Sequence, residues 1–285
     1  MKVPLTGAGG QLGRDVTASA QLNHDIQLTP FTRAQLDVTN ADAVRTALAD
    51  VVIQAAAYTA VDDCETHEAQ ALRANGDGTG NIVAAAGEMA VRVVYVSTDC
   101  VFDGTKADPY TEDDTPNPAS VYGASKLIGE QHVATLGDDG LIVRTSWVCG
   151  VNGANVVKTI LRAAENYPQL TFVDDQTGKP TFTADLAEAL LILAGRRDGG
   201  IMHVTNEGEV SWFGFCQEVL EAIGRDRAQV VACATHELQP PRPAPRPANS
   251  VLANTRFGDL GAARLSEAPE KGRRRTSHLE SVEEL

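Results

Sequence analysis

Tyr122 and Lys126 stand four residues apart in the run Tyr122-Gly123-Ala124-Ser125-Lys126, a spacing that puts both side chains on one face of a helix. A phenol beside an ammonium group is a way to make an acid. An unperturbed tyrosine titrates near ~10, and lowering that value by ~3 units takes roughly 4 kcal/mol of differential interaction. A neighbouring positive charge works in that direction. So placed, Tyr122 would be a general acid toward a carbonyl oxygen, and Thr98, in Val96-Ser97-Thr98-Asp99, would hold that oxygen by a hydrogen bond. Tyr-x-x-x-Lys alone also fits a packing pair, so the elements around it must decide.

The apolar run Val91 to Val96 reads as a buried strand that delivers Ser97 and Thr98 at its carboxyl end. After the Pro-rich loop Pro109 to Pro118, a helix over 121–136 carries Tyr122 and Lys126. At the start of the chain, Val3 to Thr6 reads as a strand, followed by Gly7-Ala8-Gly9-Gly10-Gln11-Leu12-Gly13 and a helical pattern to about residue 20. Gly7, Gly10 and Gly13 have the G-x-x-G-x-x-G spacing. Glycines let the backbone approach a pyrophosphate, and the helix N-terminus offers free N–H groups. Gly7, Gly9, Gly10, Gln11, Leu12 and Gly13 are therefore candidate cofactor contacts; the competing reading is a simple tight turn. Pro4, lacking a ladder donor, is unexpected in a central strand.

Ile26 to Leu28 reads as the second strand. A site selecting NAD places an acid ~20 residues beyond the glycines. Here Thr29-Pro30-Phe31-Thr32-Arg33 holds no carboxylate. Arg33 could face a 2′-phosphate, which points to NADPH with NADH use left open, or be a solvated loop charge. Asp37, beside Val38, could cap the next helix, as Thr39 or Asn40 could, or hydrogen-bond an adenine amine. A helix from about 40 to 49 leads to a strand over 51–55. The small residues Ala55, Ala56 and Ala57, then Tyr58, would let a flat cofactor pass, and would equally serve packing. Asn75, in a long helical pattern over 65–89, is a further cofactor-side candidate.

Leu141 to Arg144 reads as the fifth strand. Strand and helix alternate to about residue 150, which predicts an α/β protein with a Rossmann-type doubly wound parallel sheet. Ligands bind outside the carboxyl ends of such strands, where Thr98 falls. Residues 1–150, rejoined by about 183–206, would form a dinucleotide-binding domain. Residues 151–182 and 207–285 would form a smaller C-terminal α/β substrate-binding region. Within these, helices are expected at 156–165, 184–194 and, capped by Ser211, to about 223, with strands at 170–173 and 201–205. Residues 239–249, dense in Pro and Arg, would lie extended over a cleft. There Arg242 and Arg246 would be phosphate ligands or solvated charges. Lys271-Gly272-Arg273-Arg274-Arg275 reads as a frayed tail.

The net charge of −14 over 285 residues argues against a general nucleic-acid binder but admits an anionic substrate in a locally basic pocket. Five cysteines without a C-x-x-C pair read as reduced thiols. There is no apolar run long enough for a membrane span and no signal-peptide core near Met1. A cytoplasmic protein is expected.

Taken together, several segments resemble the extended short-chain dehydrogenase/reductases over about residues 1 to 260. They are the Thr6–Gly13 turn, Ala55 to Asp62, Val96 to Asp99, Val101-Phe102-Asp103-Gly104, Tyr110 to Asp114, Asn117-Pro118 with Tyr122-Gly123, Arg144-Thr145-Ser146-Trp147 and Arg246 to Ser250. The resemblance is to members that reduce a 4-keto group on a dTDP-linked 6-deoxy sugar with hydride from a nicotinamide. It implies that Tyr122 protonates the forming alkoxide, that Lys126 lowers the Tyr122 pKa and holds the nicotinamide ribose, and that Thr98 binds the carbonyl oxygen. It also implies that Trp147 packs on the sugar, with Asp99, Cys100 and Arg246 on the substrate side. Cys100 and Cys149 stand where tyrosine is usual and Gln54 where asparagine is common, and no tryptophan-containing terminal helix is found beyond Gly261. Cys100 leaves the sugar's identity open, so a reductase of a different dTDP-4-keto-6-deoxysugar is a competing reading. A non-catalytic NADP-binding regulatory subunit is another. Asp15 matches one position through which some members bind magnesium at a dimer contact. The others are unmatched, so no metal ligands are assigned, and magnesium and a homodimer are both left open.

Overall fold

The computed structural model describes residues 1–260. In chain order the elements are β1 (Lys2–Thr6), α1 (Gln11–Gln21), β2 (Gln27–Phe31), α2 (Ala41–Ala47), β3 (Val51–Gln54), α3 (Val61–Thr66) and α4 (Glu68–Ala71). A π-helical turn, Leu72–Asp77, then leads into α5 (Gly78–Met89), β4 (Arg92–Thr98), α6 (Val121–Ala134), β5 (Gly140–Thr145), β6 (Val148–Cys149) and α7 (Val156–Asn166). There follow β7 (Leu170–Val173), β8 (Thr177–Gly178), β9 (Thr181–Phe182), α8 (Thr183–Ala194), β10 (Gly200–His203), β11 (Val210–Ser211), α9 (Trp212–Ala222), β12 (Val230–Cys233) and α10 (Thr255–Asp259).

Six strands form one parallel sheet in the order β10-β5-β4-β3-β1-β2. This is the expected doubly wound sheet. β3 and β5 are buried along their whole length, as strands covered on both faces must be. Side chains alternate between two cores. Leu5, Ile53, Val94 and Val143 meet Val16 of α1 and Leu186 and Leu190 of α8. Val52, Val93, Tyr95 and Ile142 meet Val44 of α2, Ile82 of α5 and Val133 of α6. The chain leaves β1 for β2 on one side and returns to β3 on the other, so the topological switch lies between β1 and β3, where such sheets bind ligands. β10 pairs with β5 at the far edge.

Pro4 sits in β1 at little cost. Lys2 N, on the same edge two residues earlier, donates to Asp50 Oδ2 at 2.8 Å, and pairing with β3 is recorded only at Leu5 and Thr6. A missing N–H at residue 4 therefore falls where the ladder has not begun. Beyond β5, α7 and α9 pack with β7 and β12 around Val157, Ile160, Phe215 and Val219. Ser211 caps α9 as expected, accepting from Gly214 N at 3.1 Å.

The structure corrects three expectations. The continuous helix over 65–89 is broken into α4, the π turn and α5, because Asn75 within the turn is drawn inward to hydrogen-bond distant partners. β2 runs to Phe31, three residues past the expected end, as a parallel partner of β1. α2 is capped by Asn40 alone of the three candidates, through Ala43 N at 3.1 Å. Among the described residues no helix is long and apolar enough to cross a membrane. The basic run 271–275 and the expected place of a terminal helix lie outside the described residues.

Candidate active site

The glycine turn is shaped by close backbone approach. Gly7 has φ +71°, and a Cβ there would sit 2.7 Å from Ala56 N; one on Gly13 would sit 2.3 Å from Gly7 O. Larger residues are excluded at both places. Beneath the turn, Thr6 Oγ1 accepts from Ala55 N and Ala56 N at 3.2 and 3.1 Å and donates to the buried Gln54 amide oxygen. Gln54 thus holds the switch-point loop. α1 begins at Gly10 with no side-chain cap and no acid in its first turn. Its N-terminal N–H groups and dipole are available to an anion, so this turn suits a dinucleotide's diphosphate.

Every predicted site residue except Asn75 and Arg242 lines one cavity of about 830 Å³ that runs from the glycine turn past Tyr122 to Trp147 and Arg246. Arg33 is on its rim, with 79% of the side chain exposed and Asp37 at 3.8 Å. Asp37 does not cap α2. It accepts from Thr39 N and Oγ1 at 3.0 and 2.8 Å, and these bonds hold its carboxyl below the usual range. Asn75 is fully buried. Its Oδ1 accepts from Tyr58 N at 2.7 Å, and its Nδ2 donates to Tyr58 O at 3.1 Å and Ser125 Oγ at 2.9 Å. It fastens the Ala57–Tyr58 segment to α6 from behind, because buried backbone groups need partners.

The catalytic candidates lie at the carboxyl end of β4 and the start of α6. Ser120 caps α6 through Gly123 N at 3.2 Å. The helix then turns Tyr122, Lys126 and Glu130, each four apart, into the interior. Glu130 receives a fork from Arg144 at 2.9 and 2.7 Å and the Ser97 hydroxyl at 2.6 Å, which fixes α6 against β4 and β5. The Lys126 ammonium donates to Val96 O at 2.7 Å and lies 4.1 Å from the centre of the Tyr95 ring. Burial pulls Lys126 down to about 7, with Glu130 opposing.

Tyr122 does not follow the expectation of a lowered pKa. Burial pushes its phenol well up, with Cys100 and Asp99 adding and a Thr98 hydrogen bond opposing. The reason is geometric: the Lys126 ammonium is directed at Val96 O and the Tyr95 ring, and desolvation then dominates. The phenol is held in its protonated form at neutral pH, the form a proton donor must have. Thr98 is also more engaged than expected, accepting from Cys100 N at 3.2 Å and donating to Asp99 Oδ1 at 2.9 Å.

At the other end of the cavity Trp147 follows β5 with φ +46°. It stacks on Trp212 with ring centres 3.6 Å apart and planes within 6°. Sequence reading missed Trp212, although it is the chain's only other tryptophan and follows the Ser211 cap. Thr145, missed too, lines the cavity with a buried hydroxyl that has no hydrogen-bond partner among the described residues. Residues 239–249 pass beside the cavity, but both arginines turn to Asp62 of α3, Arg246 at 3.0 Å and Arg242 at 3.2 Å. Arg246 still lines the cavity and Arg242 does not. Asp15 accepts from Asn152 at 2.7 Å. Cys149 is buried in the α7–α9 core.

Residues 1–272 match the family model described as RmlD substrate binding domain. A dTDP-4-dehydrorhamnose reductase from Mycobacterium tuberculosis (strain H37Rv) is 40% identical over 273 residues, covering 93% of this chain and 88% of that protein. The solved structure of a dTDP-4-dehydrorhamnose reductase from Clostridium acetobutylicum matches with a TM-score of 0.89 at 37% identity, covering 100% of this chain and 98% of that one. A dTDP-4-dehydrorhamnose reductase from Bacillus anthracis, in complex with NADP, matches with a TM-score of 0.88 at 33% identity, covering 98% and 97%. With its sheet, glycine turn and Tyr122–Lys126 helix on one cavity, this chain belongs to the RmlD substrate binding domain family.

Proposed function

We propose that this protein reduces the 4-keto group of dTDP-4-dehydro-L-rhamnose to give dTDP-L-rhamnose, with NADPH as the hydride donor. The observation that carries the reading is the single cavity joining an anion-binding glycine turn to a buried, protonated Tyr122. The names of the relatives and the NADP in the Bacillus anthracis structure support it. The backbone of Gly9 to Gly13 and the start of α1 would hold the cofactor diphosphate, Arg33 a 2′-phosphate, and the Asp37–Val38 edge the adenine. Ala55 to Tyr58 would flank the dinucleotide, and Lys126 would hold its ribose. When bound, the dihydronicotinamide supplies a hydride to the keto carbon.

On the protein's side, Tyr122 gives its proton to the oxygen that becomes the alcohol, with the Thr98 hydroxyl beside it. Asp99 and Cys100 shape the sugar end. Trp147, backed by Trp212, offers a flat apolar face to a pyranose ring. Arg246 would be the cation that meets the substrate diphosphate. We assign residues 1–150 with about 183–206 to cofactor binding and 151–182 with 207 onward to the sugar nucleotide, in a cytoplasmic enzyme. Cys100, against Tyr122, favours one alternative, a different dTDP-4-keto-6-deoxysugar. Loss of NADPH absorbance on adding dTDP-4-dehydro-L-rhamnose, with NADH in parallel, tests both. Rapid oxidation of NADPH supports the rhamnose reading. Tight NADPH binding without oxidation moves the weight to another sugar or to a regulatory subunit.

A further inference from the structure

Five of the eight residues from Pro240 to Pro247 are proline. Proline has no N–H to donate, and an extended proline-rich chain makes no hydrogen bonds within itself. Among the described residues no backbone–backbone bond reaches 239–247. Just beyond, the chain is bolted down: Thr177 N donates to Ala248 O at 2.8 Å, and Asn249 N to Gly104 O at 3.2 Å. Within the proline run Asp62 of α3 does the holding. The three residues that are not proline are Arg242, Ala244 and Arg246, and all three meet this one carboxylate. Its Oδ2 lies 3.2 Å from the Arg242 guanidinium and 3.0 Å from that of Arg246, and its Oδ1 accepts from Ala244 N at 3.2 Å. Arg246 also donates to Ala244 O at 3.0 Å. Arg246 lines the cavity, whereas Asp62 and Arg242 do not, so an anion inside the cavity and Asp62 outside it compete for one guanidinium.

We propose that Asp62 is a positioning residue for the substrate diphosphate: it holds Arg246 at the cavity wall and yields it to an entering diphosphate, while Arg242 and the Ala244 amide keep the wall on Asp62. This rests on Arg246 being the cation that meets that diphosphate. The charges favour the hand-over. Two guanidinium groups share one carboxylate, which leaves one positive charge unbalanced at the wall, and Arg242 remains to neutralise Asp62 when Arg246 turns away. A guanidinium presents a planar fork of donors that matches two oxygens of one phosphate. The Asp62–Arg246 pair is also only partly buried, with 31% and 22% of the side chains exposed, and such a pair is weak enough to be displaced. Asp62 therefore subtracts from nucleotide affinity, and in exchange the wall is ordered before the substrate binds.

The test is calorimetric titration with dTDP of the wild type, Asp62→Asn, Arg246→Ala and the double variant. Asparagine keeps an acceptor for Ala244 N and removes the charge that competes for Arg246. Asp62→Asn should therefore bind dTDP about threefold more tightly, the worth of a partly exposed ion pair; a merely structural role for Asp62 predicts weaker binding. Arg246→Ala should bind about tenfold or more weakly, as loss of a charged hydrogen bond does. In that background Asp62→Asn should gain nothing, because both changes act on one contact. Asp62→Ala removes the acceptor as well, so amide hydrogen exchange over 242–246 should be faster than in the wild type. Unchanged or weaker dTDP binding in Asp62→Asn, the same gain with Arg246 absent, or unaltered exchange in Asp62→Ala would overturn the proposal. If Asp62→Asn does not fold, Arg242→Ala decides: it leaves Asp62 to Arg246 alone and should weaken dTDP binding about threefold, and unchanged or tighter binding overturns the proposal. The two readings separate cleanly. If Arg246→Ala binds dTDP weakly while Asp62→Asn gains nothing, only the hand-over falls. If Arg246→Ala binds as the wild type does, or the wild type does not bind dTDP, the diphosphate assignment falls first and the hand-over with it.

Discussion

Replacing Lys126 by methionine should raise the melting temperature while ending turnover. Lys126 is 2% exposed, and burial pulls its ammonium from 10.5 down to about 7. Near pH 7 the unfolded chain holds this proton fully and the folded chain about half the time. Comparing the two states, the depressed value costs about 4 kcal/mol of stability at that pH. The sign follows from proton binding. Below about pH 7 both states are protonated and the penalty is complete. Between about pH 7 and about pH 10 the unfolded state binds more protons, so stability rises with pH. Methionine keeps much of the apolar stem and removes the charge, but it leaves Val96 O without its 2.7 Å donor, a loss of about 1–3 kcal/mol. The net gain at pH 7 is about 1–3 kcal/mol, or roughly 2–12 °C at about 2–4 °C per kcal/mol. Thermal unfolding followed by circular dichroism, at about pH 6 to about pH 9, reads it. The gap between variant and wild type should narrow by about 2 kcal/mol between about pH 7 and about pH 9. A variant that melts below the wild type at pH 7, or a gap that stays constant with pH, refutes the reasoning.

Glu130→Gln should be strongly destabilising, by about 3–5 kcal/mol, because it strands the Arg144 guanidinium, which is 1% exposed; calorimetry gives the value. Arg33→Ala should raise KM for NADPH roughly tenfold or more, as loss of a charged hydrogen bond does, and leave KM for NADH nearly unchanged in initial-rate assays. Trp212→Ala removes the ring stacked on Trp147. It should raise KM for the sugar nucleotide by up to about tenfold, in keeping with about 0.5–1.5 kcal/mol for an aromatic pair, while NADPH affinity measured by fluorescence titration holds.

What was legible in the sequence was local. The strand, glycine turn and helix at 2–21 and the cap at Ser211 depend on neighbours within a few residues, as does the Tyr122–Lys126 face. What was not legible depends on distant partners. Asn75 looks cofactor-facing until Tyr58 and Ser125, 17 and 50 residues away, are seen to hold it. Arg242 looks like a free phosphate ligand until Asp62, 180 residues away, takes it, and Asp62 also pairs with Arg246, which keeps its place on the cavity. The direction of the Tyr122 shift depended on depth of burial and on where the Lys126 ammonium is aimed, and neither is set by a four-residue spacing.

The most direct measurement is oxidation of NADPH on adding dTDP-4-dehydro-L-rhamnose to the wild type and to Tyr122→Phe, each first titrated with NADPH. With Tyr122 as the proton donor, the wild type oxidises NADPH rapidly. The variant binds NADPH as well and loses turnover by roughly 100-fold to 10,000-fold. Equal rates in the two proteins, or a wild type that binds NADPH and leaves it unoxidised, would contradict the assignment.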